Sequence, residues 1–310
     1  MRMRGQRGVA VVTAILVVAV AASAAAYMLS QQSSTLNQTA LVASRAQADA
    51  YAQAGLDWAR GVLAEDARQS ATDTLDEGWA QPLAGLPVER AIVSGAITDL
   101  QSRFNLNNVV KDGRRSDADV QILVRLLESL DLDAGLALAV LDWVDTDADL
   151  SGNGGAEDAH YLALPRPHRA ANRRMAQFEE LYVVRGFDAR AVAKLRPFVT
   201  ALPGRAPVNA NTAAPEVLAA ILPELSREEI RELADSRRAR PFKDRADLQA
   251  RAKKANPAAI DTDLDVKSDH FLVRIGVAQD DVQVASEALV ARAAPGASPA
   301  TAIIWRRPLY

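Results

Sequence analysis

VAVVTAILVVAVAASAAAYML, residues 9–29, follows a basic octapeptide, MRMRGQRG, and contains no charged side chain. As a helix rising about 1.5 Å per residue, these 21 residues are long enough to cross the hydrocarbon core of a bilayer. From Gly8 to Ser44, 37 residues pass without an ionised group, so nothing in the sequence stops the helix at the membrane surface. Arg2, Arg4 and Arg7 hold the start on the cytoplasmic side by the positive-inside rule. Two ordinary explanations fit this segment. One is a secretory signal peptide cut at Ala22-Ser23-Ala24 or Ala24-Ala25-Ala26, and the other is a signal anchor.

Outward from it, residues 30–66 stay helical in pattern, with Leu36, Ala40, Ala43, Ala50, Ala54, Trp58 and Val62 at three-to-four-residue spacing and no proline. One helix over 9–66, on the order of 85 Å long, is predicted. Its alanines suit close packing on a sheet or on helices of neighbouring subunits, and make a weak coiled-coil seam. Residues 78–87, with two prolines and two glycines, read as a loop. Ile92, Ser94, Ala96 and then Ile97, Asp99, Gln101 and Arg103 give one bent or two short strands, ended by the turn-forming Asn105, Asn107 and Asn108.

Between 111 and 261 helical patterns follow one another, at 119–129, 134–144, 173–184, 189–199, 215–222 and 227–236. Strict alternation returns at Phe271, Val273, Ile275 and Val277, Asp280-Asp281 turns the chain, and Val282 and Val284 begin a return strand. Residues 301–308 read as a last edge strand guarded by Arg306 and Arg307. The helical block therefore interrupts a sheet. At 310 residues, 49% hydrophobic and 24% charged, the chain is large enough for one large or two medium domains. Net charge is −3, or −6 without the three arginines of residues 1–8, which does not favour a nucleic-acid partner. It has no cysteine, so neither disulfides nor thiolate chemistry is available.

The densest chemical signal is LDWVDTDADLSGNGGAEDAHY, residues 141–161, with Asp142, Asp145, Asp147, Asp149, Glu157 and Asp158 around Gly152, Gly154 and Gly155. Six carboxylates this close repel unless a hard cation neutralises them, and calcium takes six to eight oxygens. A solvated acidic loop is the competing explanation. It is not an EF-hand, which needs glycine where Leu150 stands and an acid where Ala156 stands. Residues 208–248 resemble a helix-hairpin-helix module, with Asn211 or Thr212 as helix cap and Arg237, Arg238, Arg240, Lys243 and Arg245 as phosphate contacts. Its turn, Pro223-Glu224-Leu225, lacks the amides that cradle phosphate, so a structural helical pair is favoured. Three histidines, at 160, 168 and 270, and no nucleophile or P-loop motif argue against an enzyme.

Arg7-Gly8 directly before Val9 resembles a prepilin-type leader cut after the glycine. Together with the Asp99-Leu100-Gln101-Ser102-Arg103-Phe104-Asn105-Leu106-Asn107 run, the D-W-x-D-x-D…G-A-E-D loop and the N-A-N-T-A segment at 209–213, it resembles the minor pseudopilin K family of type II secretion, or general secretion pathway protein K. Thr13 stands at the fifth position after the leader, where most pilin-like proteins carry glutamate, and its absence marks the K type. The resemblance implies an α+β fold: a long pilin-like N-terminal helix on a small antiparallel sheet, with a large all-helical domain inserted in the sheet. The corresponding spans are leader 1–8, transmembrane helix 9–29, pilin-like parts 30–110 and 262–310, and inserted helices 111–261. It also implies cleavage between Gly8 and Val9 with methylation of the new N-terminus. It implies one or two structural calcium ions on Asp145, Asp147, Glu157 and Asp158 first, and on Asp142 and Asp149 second. The implied partners are the I and J minor pseudopilins, the prepilin peptidase and the secretion machinery at the inner membrane. The role would be at the tip of a periplasmic pseudopilus that exports folded proteins, with no catalysis and no nucleic acid. A membrane-anchored periplasmic DNA-binding protein is the alternative.

Overall fold

A computed structural model describes residues 6–294 and 296–309, with the backbone alone for 6–8, so most of the leader lies outside the described residues. One helix, α1 (Gln6–Gln69), runs unbroken for 64 residues, on the order of 95 Å. Its first part is exposed all round, with large apolar side chains between Val9 and Leu29 that nothing among the described residues covers. Only its last third is packed. There Ala48, Ala52, Leu56, Ala59 and Leu63 form the buried stripe, at the three-to-four spacing of one helix face. This corrects the expected face: Ala50 and Ala54 are exposed, and Trp58 is 60% exposed. Alanine occurs on every side of this helix, so its spacing does not say which side is inner.

Five antiparallel strands form the sheet in chain order: β1 (Leu83–Val88), β2 (Ala91–Asp99), β3 (His270–Gln279), β4 (Val282–Arg292) and β5 (Thr301–Leu309). β1 replaces the second half of the loop expected at 78–87, while Gly78–Ala80 form a 3-10 turn. Its residues LAGLPV are mostly exposed, so no alternation betrays a strand, and Pro87 is tolerated because the strand lies on an edge. The alternating residues of β3 send Phe271, Val273, Ile275 and Val277 into the core with α1. Gly55 lets the helix sit close on the sheet, since a Cβ there would come within 3.2 Å of Ile275. Gln279 and Val282 pair across the two-residue turn, where Asp280 takes φ +52°.

β2 and β3 are neighbours, with Asp99 opposite Phe271, although the whole helical block lies between them in sequence. The block contains α2 (Asp117–Ser129), α3 (Leu136–Val144), α4 (Asp158–Tyr161), α5 (Ala189–Leu195), α6 (Pro215–Ile221), α7 (Arg227–Ala239), α8 (Arg245–Arg251) and α9 (Pro257–Asp263). Its core takes in Phe104, Leu106 and Val109 at one end and Leu264 and Val266 at the other, reaching past the span 111–261 on both sides. The Asp99–Asn107 run is therefore where the chain leaves the sheet. Its asparagines work as clamps: the Asn105 Oδ1 accepts from the Leu202 amide at 3.0 Å, and Asn107 exchanges two hydrogen bonds with the Met175 backbone. With Met175 so engaged, the helix expected at 173–184 shrinks to a 3-10 turn, Phe178–Val183. The helix expected at 189–199 stops at Leu195, two residues before Pro197, and Val199-Thr200 pairs with Phe104-Asn105 instead.

Block and sheet meet through Leu100, Leu202, Ala206, Leu272 and Leu289, with Trp305 against them. The block joins the sheet at the end where α1 finishes, because the Asp73 amide donates to the Val266 carbonyl at 2.9 Å just beyond the helix.

Candidate functional site

The acidic loop is built on α3, whose sequence LALAVLDWV is apolar except for one charge. That charge, Asp142, is fully buried, and both its oxygens accept from the Ser151 amide at 3.2 and 3.3 Å. Asp145 is the C-cap residue of α3 and is 6% exposed. A carboxylate there faces the negative end of the helix dipole, which adds to the cost of its charge. Glu157 precedes α4 as its N-cap, 5% exposed, yet its side chain caps nothing. Asp145 Oδ1 and both oxygens of Glu157 are buried without a hydrogen-bond partner.

Burial, with the nearby charges of Asp147 and Asp142, pushes Asp145 up to about 7. Glu157 is likewise pushed up to about 7, first by burial and then by Asp142, Asp145, Asp147 and Asp158. Burial raises Asp142 as well. Asp142, Asp145, Asp147 and Glu157 thus act on one another as a group. Asp158 and Asp149 differ. Asp158 accepts from the Ala170 amide at 2.9 Å and pairs with Arg169 at 3.5 Å, while Asp149 is exposed and offers its amide to Asp147 Oδ1.

The glycines make the approach of the two arms possible. A Cβ on Gly155 would lie 2.0 Å from Asp142 Oδ2, and one on Gly154 would lie 2.3 Å from the Gly135 carbonyl. Gly152 takes φ +138°, open to glycine alone. Behind the loop, Tyr161 is fully buried with its ring edge-on to Trp143 at 5.2 Å, and Arg185 donates to the Gly155 carbonyl at 2.5 Å. Buried carboxylate oxygens without partners, on a braced loop, fit a hard cation. Asp142, Asp145, Asp147 and Glu157 are the residues that would hold it.

Thr13, on the exposed apolar part of α1, donates its hydroxyl to the Val9 and Ala10 carbonyls at 3.0 Å each. It is satisfied within its own helix and presents no charge to a neighbour.

Three of the five basic residues of the helix-hairpin-helix segment are engaged within the chain, while Arg238 and Lys243 stay exposed. Arg237 donates to the carbonyls of Ala210 and Ala213, Arg240 pairs with Asp247, and Arg245 pairs with Asp265. Neither Asn211 nor Thr212 caps α6, whose N-cap is Ala214. Asn211 exchanges two hydrogen bonds with the Phe242 backbone, and Thr212 donates to Asp99 at 2.5 Å. The segment is a buried clamp between block and sheet.

Sequence reasoning passed over one charged group entirely: Asp66, Asp73 and Glu77, met by Arg292 from the far end of β4. Two acids seven residues apart straddling a helix end carry no recognisable spacing, and their arginine lies more than 200 residues on.

Two family models match, both described as type II secretion system (T2SS), protein K, over residues 102–204 and 208–267. The chain is 34% identical to the type II secretion system protein K of Pseudomonas aeruginosa, covering 79% of this chain and 76% of that one. It is 31% identical to that of Aeromonas hydrophila over 93% of this chain and 94% of the other. The fold is similar, with a TM-score of 0.75 and 25% identity, to a chain in the crystal structure of the GspK-GspI-GspJ complex from the enterotoxigenic Escherichia coli type 2 secretion system. That match covers 85% of this chain and 96% of the other.

Proposed function

We propose, since this chain belongs to the type II secretion system protein K family and is a minor pseudopilin of that system, that it stands at the tip of the pseudopilus and starts or caps its assembly. Its role is to hold other subunits rather than to catalyse. The apolar part of α1 anchors it in the inner membrane, and the sheet and helical block stand in the periplasm. Prepilin peptidase cuts between Gly8 and Val9, and the new N-terminus is methylated. Its neighbours are minor pseudopilins of the I and J types, as in the related crystal complex.

One observation carries the tip position. The helical block joins the sheet beyond the end of α1 that points away from the membrane. A subunit stacked on that end would meet the block instead of a free pilin face. Thr13 agrees with this. In pilin-like filaments a glutamate at that position is held to pair with the N-terminal amine of an adjacent subunit, and a terminal subunit has no such duty. Calcium in the acidic loop, on the buried Asp142, Asp145 and Glu157 and the exposed Asp147, would supply the positive charge that the unpartnered oxygens of Asp145 and Glu157 lack and hold the block rigid.

Gold-labelled antibody against the block is expected to mark filament ends only, and deletion of the gene to stop secretion and filament initiation. Label spread along the shaft, or filaments and secretion undiminished by the deletion, would refute the tip assignment. Co-purification of the full chain with the neighbouring minor pseudopilins tests the partners separately.

A further inference from the structure

A second group of converging carboxylates lies outside the acidic loop. Among the described residues, Asp66, Asp73 and Glu77 each place one oxygen within 4.8 Å of the others. Asp66 lies in the last turn of α1, and the other two lie in the connection to β1. Among the described residues the one guanidinium paired with this group is Arg292, which reaches Asp66 Oδ2 at 2.8 Å and Asp73 Oδ2 at 2.5 Å. Three carboxylates against one guanidinium leave two negative charges uncompensated. The carbonyls at the end of α1 add partial negative charge at the same place.

The hydrogen bonds do not exhaust these oxygens. Asp73 Oδ2 accepts the Ser268 amide at 2.7 Å, and Glu77 Oε2 accepts the Thr74 amide at 2.9 Å and the Trp79 indole N–H at 2.7 Å. Asp73 Oδ1, on a residue 1% exposed, is buried with no partner. An anionic oxygen left so is costly unless a cation meets it. Beside it lies a cavity of about 330 Å³, lined in part by Ser70, Asp73, Lys267, Asp269 and Arg292, with room for water. Burial, then the charges of Glu77 and Asp73, pushes Asp66 up to about 6, as expected of an anionic cluster short of positive charge.

We propose that Asp66, Asp73 and Glu77, completed by water, form a calcium site separate from the acidic loop. All three donors are oxygens, with neither histidine nor thiolate among them, which disfavours transition metals. Calcium accepts a loose set of carboxylates and waters, whereas magnesium demands a near-ideal octahedron, so an irregular set of three carboxylates completed by water suits calcium. Bound there, calcium ties the end of the stem helix to the β1 connection, and through Arg292 and Ser268 to the last turn of the sheet and the returning chain. The site stiffens the joint through which the block is carried.

The full chain in detergent micelles tests this. Native mass spectrometry over a calcium titration is expected to count one ion fewer for Asp66→Asn with Glu77→Gln than for the parent. Terbium in place of calcium should give indole-sensitised emission that Trp79→Phe reduces at least twofold, because the Trp79 ring adjoins Glu77. The Trp79-dependent part should persist when Asp145→Asn and Glu157→Gln empty the loop, so the two sites are read separately. Equal ion counts in natively folded parent and variant would overturn the proposal. So would terbium emission indifferent to Trp79→Phe, and that comparison, which keeps all three carboxylates, decides alone if the double variant unfolds.

Discussion

Gly8→Leu is expected to leave the leader on essentially every copy and to remove the chain from filaments. Gly8 is the residue without a side chain at the junction itself, and the apolar run begins directly behind it at Val9, so a branched residue obstructs cleavage at the point where charge and apolar surface meet. Retention is decisive because of Arg2, Arg4 and Arg7. To join a filament the start of α1 must move from the cytoplasmic face into an apolar environment. Each arginine there costs about 2.5–3.5 kcal/mol, so the three together cost about 7–10 kcal/mol. At about 1.4 kcal/mol per tenfold, that is five orders of magnitude or more in the assembly equilibrium. Intact mass distinguishes a start at Val9 from a start at Met1. A mature chain beginning at Ala25 or Tyr27 would mean ordinary signal-peptide cleavage and would end the pilin-type reading of residues 1–8.

Calcium removal should lower the melting temperature of the parent chain at pH 7.5 and much less at pH 5. An ion that binds only the folded state stabilises it by about 2.7 kcal/mol at a hundredfold excess over Kd. The pH dependence follows from Asp145 and Glu157, both pushed up to about 7 by burial in the metal-free loop. Their folded values lie above the unfolded ones, so between about pH 4 and 7 the native state holds more protons. Stability of the calcium-free chain therefore falls as pH rises through that window. Calcium binds the deprotonated carboxylates and reverses the slope. Asp99, also buried and pushed up to about 6, slopes the same way with and without calcium, so the difference between the two melting curves isolates the ion. Asp145→Ala with Glu157→Ala should abolish that difference, or leave only a residue due to the site at the end of α1. Identical melting with calcium and with chelator at both pH values would leave the loop as solvated acid.

What could be read beforehand was whatever a single local period determines. The charge-free run at 9–29 and the alternation of Phe271, Val273, Ile275 and Val277 each force one structure. The acidic loop announced itself by composition, but the resemblance ranks Asp142 behind Asp158, although it is the lone charge in an otherwise apolar helix. What escaped depends on which surface meets which. The inner face of α1 is hidden by alanines all round, and β1 earns its place by pairing with Val93 and Ile92 rather than by burying its own side chains. Asn211 and Thr212 look like caps because they precede a helix, yet the buried Asp99 and the Phe242 backbone claim them first. The Asp66–Asp73–Arg292 joint exists only once β4 has come back beside the first helix.

The adjacency of β2 and β3 across the helical block also sets an order of events. Pairing Asp99 with Phe271 in an unfolded chain closes a loop of about 170 residues, which costs about 4–5 kcal/mol in chain entropy, against about 1–2 kcal/mol for a five-residue turn. Once the block has condensed, its two ends are held together by its own core and by the Leu100 amide on the His270 carbonyl at 3.0 Å, and the strands are already neighbours. Pulse-labelled hydrogen exchange during refolding should find α2 and α3 protected before β2 and β3, and simultaneous protection would contradict this. As the polypeptide emerges across the membrane from its N-terminus, the stem, β1 and β2 appear first and must wait. The hairpin edge of β2 stays unpaired until the block behind it is made, an interval in which another strand can claim it.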